Sequence, residues 1–376
     1  MRLEISENIT RKYRLVNYHF SLIVFVVAIS IMGIMIISSA NEAYRNKQIA
    51  GLILGLIAMT VISLIDYNYV LGFYKIIYCF GLGLLGLIFI FGDDVGGATR
   101  WVDLGFIKFQ PSEMVKILMI LFLAEYLTVN KEKINKPKGF FITLILIFLP
   151  ILLILKQPDL STSIVVFLVC AVLLYLADLS YKIIAPILGV GIPAFAILFN
   201  AIIQENQTII SYYQWLRIVS WLYPEDYPQS AYQQQNSITA VGSGQLLGKG
   251  LFNNNINSLK NGNFISEPQT DFIFAVTGEE LGFVGCCIVI GLLFIIAIEC
   301  IIIGTKARNF QGSLICYGIG ALIGIQSFVN ICVVTGLLPN TGLPLPFVSY
   351  GLTSLVTMFA GIGFVLNVGL QSDKRR

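Results

Sequence analysis

Residues 271–303 read DFIFAVTGEELGFVGCCIVIGLLFIIAIECIII, a run whose only charges are Asp271, Glu279, Glu280 and Glu299. A helix needs about 20 mostly apolar residues to cross a bilayer core. This run exceeds that length, so it is expected to tilt or to project into water. Outward from it, apolar stretches recur at 19–40, 49–65, 69–91, 112–129, 139–155, 160–177, 183–203, 313–335 and 347–370. The sequence therefore predicts an all-α, polytopic membrane protein of about ten transmembrane helices, one unit over residues 1–376. Composition agrees: 12% of residues are charged and 56% hydrophobic, against roughly 25% charged in a soluble domain. Too little charge is present to cover a water-facing surface. The net charge of +3 is too small to imply nucleic acid, and no nucleic-acid partner is expected. Seven cysteines all fall in apolar runs and read as small apolar fillers rather than as a disulfide framework. The 19–40 run is too long for a cleavable signal and reads as an anchor.

An even number of spans puts both termini on one side. If that side is the cytoplasm, fifteen of the twenty-four basic residues lie there, from Arg2, Arg11, Lys12 and Arg14 through Lys131, Lys133, Lys136 and Lys138 to Lys374, Arg375 and Arg376. The positive-inside rule then assigns 92–111, 156–159, 204–270 and 336–346 to the outer face, with 204–270 as a large extracellular loop. The residues of unusual chemistry lie in these segments or just inside the adjoining helices.

Five clusters stand out. Gly96-Gly97-Ala98-Thr99-Arg100-Trp101 combines a turn with a guanidinium fork, and Pro111-Ser112-Glu113-Met114-Val115-Lys116 starts a helix whose Glu113 and Lys116 share a face. A lone charge within a membrane helix costs about 2.5–3.5 kcal/mol on insertion scales, so these two are expected to pair, either as a structural pair or lining a polar cavity. Lys156-Gln157-Pro158-Asp159 reads as a helix start in which Asp159 is a cap or a site residue. The long loop carries Arg217, then Asn236-Ser237, then Gly242-Ser243-Gly244 and Gly248-Lys249-Gly250, whose glycines would let backbone N–H groups approach an anion. Thr270-Asp271-Phe272 marks the re-entry into lipid; Asp271 is either a helix cap or a half-buried general base. Glu279 and Glu280 lie deeper, and Glu279 is the better placed to partner Lys116. Finally, Pro339, Pro344 and Pro346 forbid a regular helix before Phe347-Val348-Ser349-Tyr350-Gly351. Irregular backbone at membrane depth is expected to wall a cavity.

Taken in order, Gly-Ala-x-Arg-Trp, Phe-Gln-Pro-Ser-Glu-x-x-Lys, Gln-Pro-Asp-Leu, Gly-Ser-Gly, Thr-Asp-Phe-Ile-Phe with Glu-Glu-Leu-Gly, and Pro-Leu-Pro-Phe-x-Ser-Tyr-Gly resemble the SEDS family of bacterial membrane proteins, typified by RodA and FtsW, over nearly the whole chain. The Arg100-Trp101-Val102-Asp103-Leu104-Gly105 segment looks closer to RodA. The chain departs from many relatives at Asn236, where they carry Gln, and at Gly351-Leu352-Thr353-Ser354, where they carry Gly-Gly-Ser after Ser-Tyr.

The resemblance implies a peptidoglycan glycosyltransferase that polymerises lipid II, the undecaprenyl-pyrophosphate-linked disaccharide-peptide, at the outer face of the bacterial cytoplasmic membrane. It implies a class B penicillin-binding protein as partner and membrane lipids as surroundings. The family's essential aspartate falls on Asp271 and its Glu–Lys pair on Glu113 and Lys116. The candidate substrate-binding set is Arg100, Glu113, Lys116, Arg217, Asn236, Lys249 and Ser349, of which Arg100, Lys116, Arg217 and Lys249 could steady a departing pyrophosphate. No metal ligands are assigned and the sequence specifies no cofactor, although a divalent cation (Mg or Mn) could share that task. The rival readings are a lipid II flippase, which needs polar groups through the whole membrane depth, and a non-catalytic scaffold.

Overall fold

The computed structural model describes residues 18–372 except 96–97, 104, 106–107, 205–206, 209, 253–263 and 265–266. The Gly96-Gly97 turn and the basic residues at both chain ends lie outside the described residues.

The chain begins with α1 (Phe20–Ala40), a 3-10 turn (Glu42–Tyr44), α2 (Arg45–Leu64), the short α3 (Tyr67–Leu71) and α4 (Tyr74–Phe91). Strands β1 (Asp93–Val95), β2 (Ala98–Asp103) and β3 (Lys108–Phe109) follow. They pair antiparallel in the order β1-β2-β3, with Asp93 opposite Trp101 and Asp103 opposite Lys108. This small sheet is a departure from the purely helical expectation. The loop between α4 and α5 is too short to bury a helix face, and pairing satisfies its backbone groups.

Helices α5 (Pro111–Val129), α6 (Pro137–Lys156), α7 (Leu160–Leu176) and α8 (Tyr181–Ile203) come next. Pro111 and Pro137 open α5 and α6, where a missing N–H costs nothing, and Asp159 and Ser180 cap α7 and α8. The stretch 204–270, read as a loop, contains two further helices, α9 (Tyr212–Leu222) and α10 (Pro228–Ser243). The chain closes with α11 (Ile273–Thr305), α12 (Phe310–Val334) and α13 (Leu352–Leu370).

Among the described residues, eight helices are long and apolar enough to cross a membrane. The other two of the ten expected spans are helices as well. Helix α7 is apolar but has 17 residues, and α5 carries Glu113, Lys116 and Glu125. The protein is thus an all-α, multi-pass membrane protein. Its interior is the packing of α13 against α2, α11 against α12, and α5 against α4, α7 and α12. Helix α8 stands apart, with no buried residue.

The long 271–303 run resolves differently from expectation. It is broken once along its length. Gly282, at φ 64° and ψ −164°, breaks α11 into two pieces, a backbone conformation open to glycine and strained for other residues. The piece before the break is packed inside protein, with Ile273 through Glu280 all buried.

Candidate active site

The site is built around the irregular segment that follows α12. Its proline-rich backbone cannot satisfy itself, and side chains from three directions hold it. Gln326 Nε2 donates to the Pro344 carbonyl at 2.8 Å, and Asn330 Nδ2 to the Leu343 carbonyl at 2.6 Å. Ser349 Oγ accepts from Leu345 N and donates to the Thr270 carbonyl, each at 2.7 Å, while Tyr350 N donates to the Gln269 carbonyl at 2.8 Å. Residues 269–271 are thereby laced alongside the proline loop. Ser349 is itself buried, so it positions the Asp271 strand and does not line the cleft.

Asp271 is not a helix cap. Helix α11 begins at Ile273 with Phe272 at its N-cap position and no side-chain capping bond. Its main-chain carbonyl accepts from Asn330 Nδ2 at 2.8 Å. Its carboxylate faces Gly342, where an added methyl carbon would lie 3.3 Å from Asp271 Oδ2 and 3.5 Å from Arg217 Nη1. One glycine therefore separates the acid from a guanidinium. Removal from water pushes the Asp271 pKa up to about 6, against the opposing pull of Arg217 and then Arg100.

Arg217 projects from α9. Its guanidinium stacks on the Tyr213 ring at 4.4 Å, one turn back, and reaches the Asn340 carbonyl at 3.5 Å. Burial lowers its pKa from the ordinary value, opposed first by Tyr213, and a guanidinium remains charged regardless. Arg100 comes from β2. It donates to the carbonyls of Gln157 and Pro158, and its Nη1 lies 3.9 Å from Asp159 Oδ1. Asp159 fills both roles offered by its sequence. It caps α7 through Thr162 N and Thr162 Oγ1 (3.2 and 2.9 Å) and also faces Arg100. Between the two arginines lies a shallow cleft lined by Pro158, Ser161, Tyr213, Asn340 and Thr341. Ser161 Oγ donates to the Thr341 carbonyl and ties the α7 start to the proline loop.

Four of the expected ligands lie elsewhere. Lys249 is engaged by Glu279, Nζ to Oε1 at 2.8 Å, so Glu279 is the partner of Lys249 and not of Lys116. The glycine-rich turn around Lys249 is not an anion cradle. The N–H groups of Lys249 and Gly250 donate to the carbonyls of Glu279 and Glu280, both at 2.9 Å. Gly248 is required because a methyl carbon there would sit 2.2 Å from the Glu280 carbonyl oxygen. The turn thus seals the broken helix α11, and the N–H groups of Gly248, Lys249 and Gly250 are all taken by backbone carbonyls. Asn236, on α10, donates to the Phe264 carbonyl at 2.8 Å and is absent from the cleft lining. Glu113 and Lys116 do pair, at 2.7 Å, but each side chain is 1% exposed. The space beside Lys116 is lined by Met119, Ile120, Val166 and other apolar side chains. The pair is therefore sealed between helices and lines no polar cavity.

The sequence reading missed Tyr213, Asn340, Thr341 and Ser161 as cleft residues and Gln326 and Asn330 as braces. The last two carried a signal: two amides four residues apart in an apolar span must meet polar partners. Among the described residues, no group of three or more His, Cys, Asp and Glu side chains is placed to hold a metal ion.

The family described as cell cycle protein, FtsW/RodA/SpoVE, matches residues 11–374. The chain belongs to this family. Its relatives include the peptidoglycan glycosyltransferase MrdB of Escherichia coli K12, 34% identical over 353 residues (93% of this chain, 92% of that protein). They also include a probable peptidoglycan glycosyltransferase FtsW of Wigglesworthia glossinidia brevipalpis, 32% identical over 366 residues, with the same coverage of 93% and 92%. Identity does not separate these two branches of the FtsW/RodA/SpoVE family. The fold is shared with a solved structure described as structural coordination of polymerization and crosslinking by a peptidoglycan synthase complex, with TM-score 0.78, 28% identity and coverage of 94% of this chain and 97% of that one. It is shared too with the crystal structure of the rod shape determining protein RodA of Thermus thermophilus, with TM-score 0.69, 26% identity and coverage of 94% and 96%.

Proposed function

We propose that this chain is a peptidoglycan glycosyltransferase that polymerises lipid II at the outer face of the cytoplasmic membrane, in a complex with a class B penicillin-binding protein. The observation that carries this reading is Asp271, a carboxylate of raised pKa that lies with Arg217 about Gly342, the residue next in the chain to the cleft-lining Asn340 and Thr341, while Arg217 and Arg100 both line the cleft. Such a carboxylate suits a general base working near neutral pH. The distribution of basic residues supports the outward placement.

In the reaction, Asp271 takes the proton of the acceptor's GlcNAc 4-hydroxyl as that oxygen attacks the donor's MurNAc anomeric carbon. The bond from that carbon to the pyrophosphate oxygen breaks, and undecaprenyl pyrophosphate leaves. A single displacement inverts the anomeric centre. Negative charge grows on the leaving group, where preorganised cations lower the barrier most. Arg217 and Arg100 are the candidates for this because both line the cleft, which Lys249 and Lys116 do not. The carboxylates near the cleft, Asp159 and Asp271, each face arginine. Two carboxylates so engaged fall short of a group of three or more such ligands for Mg or Mn, and among the described residues no such group is present.

The test is polymerisation of lipid II by the chain purified with its penicillin-binding partner. Wild type is expected to form glycan chains, and Asp271→Asn to form none while still folding and binding the partner. Full polymer from Asp271→Asn would remove Asp271 from the mechanism. Movement of lipid II across vesicles without any polymer would establish the flippase reading instead.

A further inference from the structure

Two amide side chains lie one helical turn apart in the middle of α12, Gln326 and Asn330, and both are buried. Neither touches the cleft. Each could pair with its own helix, but both reach out to the backbone of the proline loop, on consecutive carbonyls. Gln326 Nε2 donates to Pro344 at 2.8 Å and Asn330 Nδ2 to Leu343 at 2.6 Å. Asn330 Nδ2 also donates to the carbonyl of Asp271 itself at 2.8 Å.

The orientation of each amide is forced. Lys116 Nζ lies 2.7 Å from Gln326 Oε1. An ammonium only donates, so the Gln326 oxygen must face it and the NH2 group must face Pro344. Asn330 sits between two carbonyl oxygens, so its NH2 group must face them, and its Oδ1 is left buried with no hydrogen-bond partner. An apolar residue would fill the same space without that unsatisfied oxygen, so the two donors are what the position uses. The clamp acts at the residues flanking Gly342, where the Asp271 carboxylate and the Arg217 guanidinium meet.

We infer that Gln326 and Asn330 are positioning residues: together they fix the distance between the Asp271 strand and the proline loop, and so the placement of the base against the reacting hydroxyl. This rests on the glycosyltransferase reading above. A displacement of about 1 Å in a catalytic group lowers the rate by on the order of 100-fold. Loss of the clamp moves the base without touching substrate, so it alters kcat and leaves KM in place.

The experiment measures kcat, KM for lipid II and thermal unfolding for the intact complex carrying Asn330→Leu, Gln326→Leu, or both. Leu matches Asn in size and suits an apolar helix interior. Asn330→Leu is expected to lower kcat by about 10- to 100-fold, with KM within about twofold and a folded protein. Because both residues hold one geometry, the double variant is expected to lose little more than the worse single, where independent roles would multiply. A kcat for Asn330→Leu within about twofold of wild type, a loss carried by KM alone, or multiplicative losses would each overturn the inference. If Asn330→Leu fails to fold, Gln326→Leu decides by the same kcat-against-KM split. A wild type that makes glycan while Asp271→Asn does not keeps the functional reading whatever the α12 variants do. A wild type that makes none overturns both.

Discussion

Lys249 Nζ lies 2.8 Å from Glu279 Oε1, and the carboxylate side chain is 1% exposed. Removing one partner of a buried pair leaves the other charge without compensation, at a cost of about 3–5 kcal/mol. The Lys249 side chain is 30% exposed, which places the loss at the lower end, about 3 kcal/mol. Lys249→Met is therefore expected to destabilise the protein with no change in KM for lipid II, and adding Glu279→Gln to restore much of the stability. A double-mutant cycle in denaturant checks this; a rise in KM from Lys249→Met alone would return the lysine to the substrate site.

Asp271 has to be ionised to take a proton. With its pKa at about 6, the rate of polymerisation is expected to fall about tenfold per pH unit below that value and to level off above it. Stability runs the opposite way. The folded carboxyl has a higher pKa than the ordinary 3.8, so the folded state holds the proton more tightly. Its burial costs nothing at low pH, and the cost grows as pH rises from about 3.8 to about 6. Asp271→Asn is thus expected to abolish activity yet raise stability by about 3 kcal/mol at neutral pH, a gain that is lost as pH falls through about 6 and is gone below about 3. Equal unfolding midpoints for the two proteins at neutral pH would show that the acid is not desolvated.

Gly342 has φ of +72° and sits against both Asp271 and Arg217. Alanine there would be strained by about 1–2 kcal/mol and would press a methyl group between acid and guanidinium. Gly342→Ala is expected to lower kcat by at least tenfold in the lipid II assay while the protein remains folded. Wild-type turnover from this variant would show that the loop tolerates movement at the base.

Arg217 and Arg100 differ in what else they hold. Arg217→Ala is expected to lower polymerisation by about 100- to 1000-fold, the range for loss of one preorganised donor at developing charge. Arg100→Ala also frees the Gln157 and Pro158 carbonyls, so it is expected to reduce stability as well as rate. Lysine is expected to rescue neither fully, because the fork geometry is lost. Thermal unfolding beside turnover separates the two.

Much of this was legible from residues alone because lipid is a strict solvent. Apolar runs of the right length had to be helices, and Glu113 and Lys116 had to pair. The helices α9 and α10 were legible in principle but were read as loop. Ser211 and Gln214 form a capping box at the start of α9, and Pro228 opens α10. What the sequence could not show was which charge meets which. Lys249 and Glu279 are thirty residues apart and meet because a turn folds back on a broken helix, which no local spacing reveals. The same holds for Asn330 and Asp271, joined across fifty-nine positions. Glycine was also ambiguous: close backbone approach explains Gly248 as readily as an anion would, and only the Glu280 carbonyl beside it decides.

The break at Gly282 has a mechanical consequence. The part of α11 beyond it, residues 283–305, is about 34 Å long at 1.5 Å per residue, enough to traverse a bilayer unaided. The preceding turns are thus relieved of spanning and can be clamped wholly by their neighbours. The break itself is held from outside the helix, Phe283 N donating to the Gln245 carbonyl at 2.8 Å and Val284 N to the Leu246 carbonyl at 3.2 Å, so the acid at the head of the segment takes its setting from protein neighbours and not from the lipid-crossing rod.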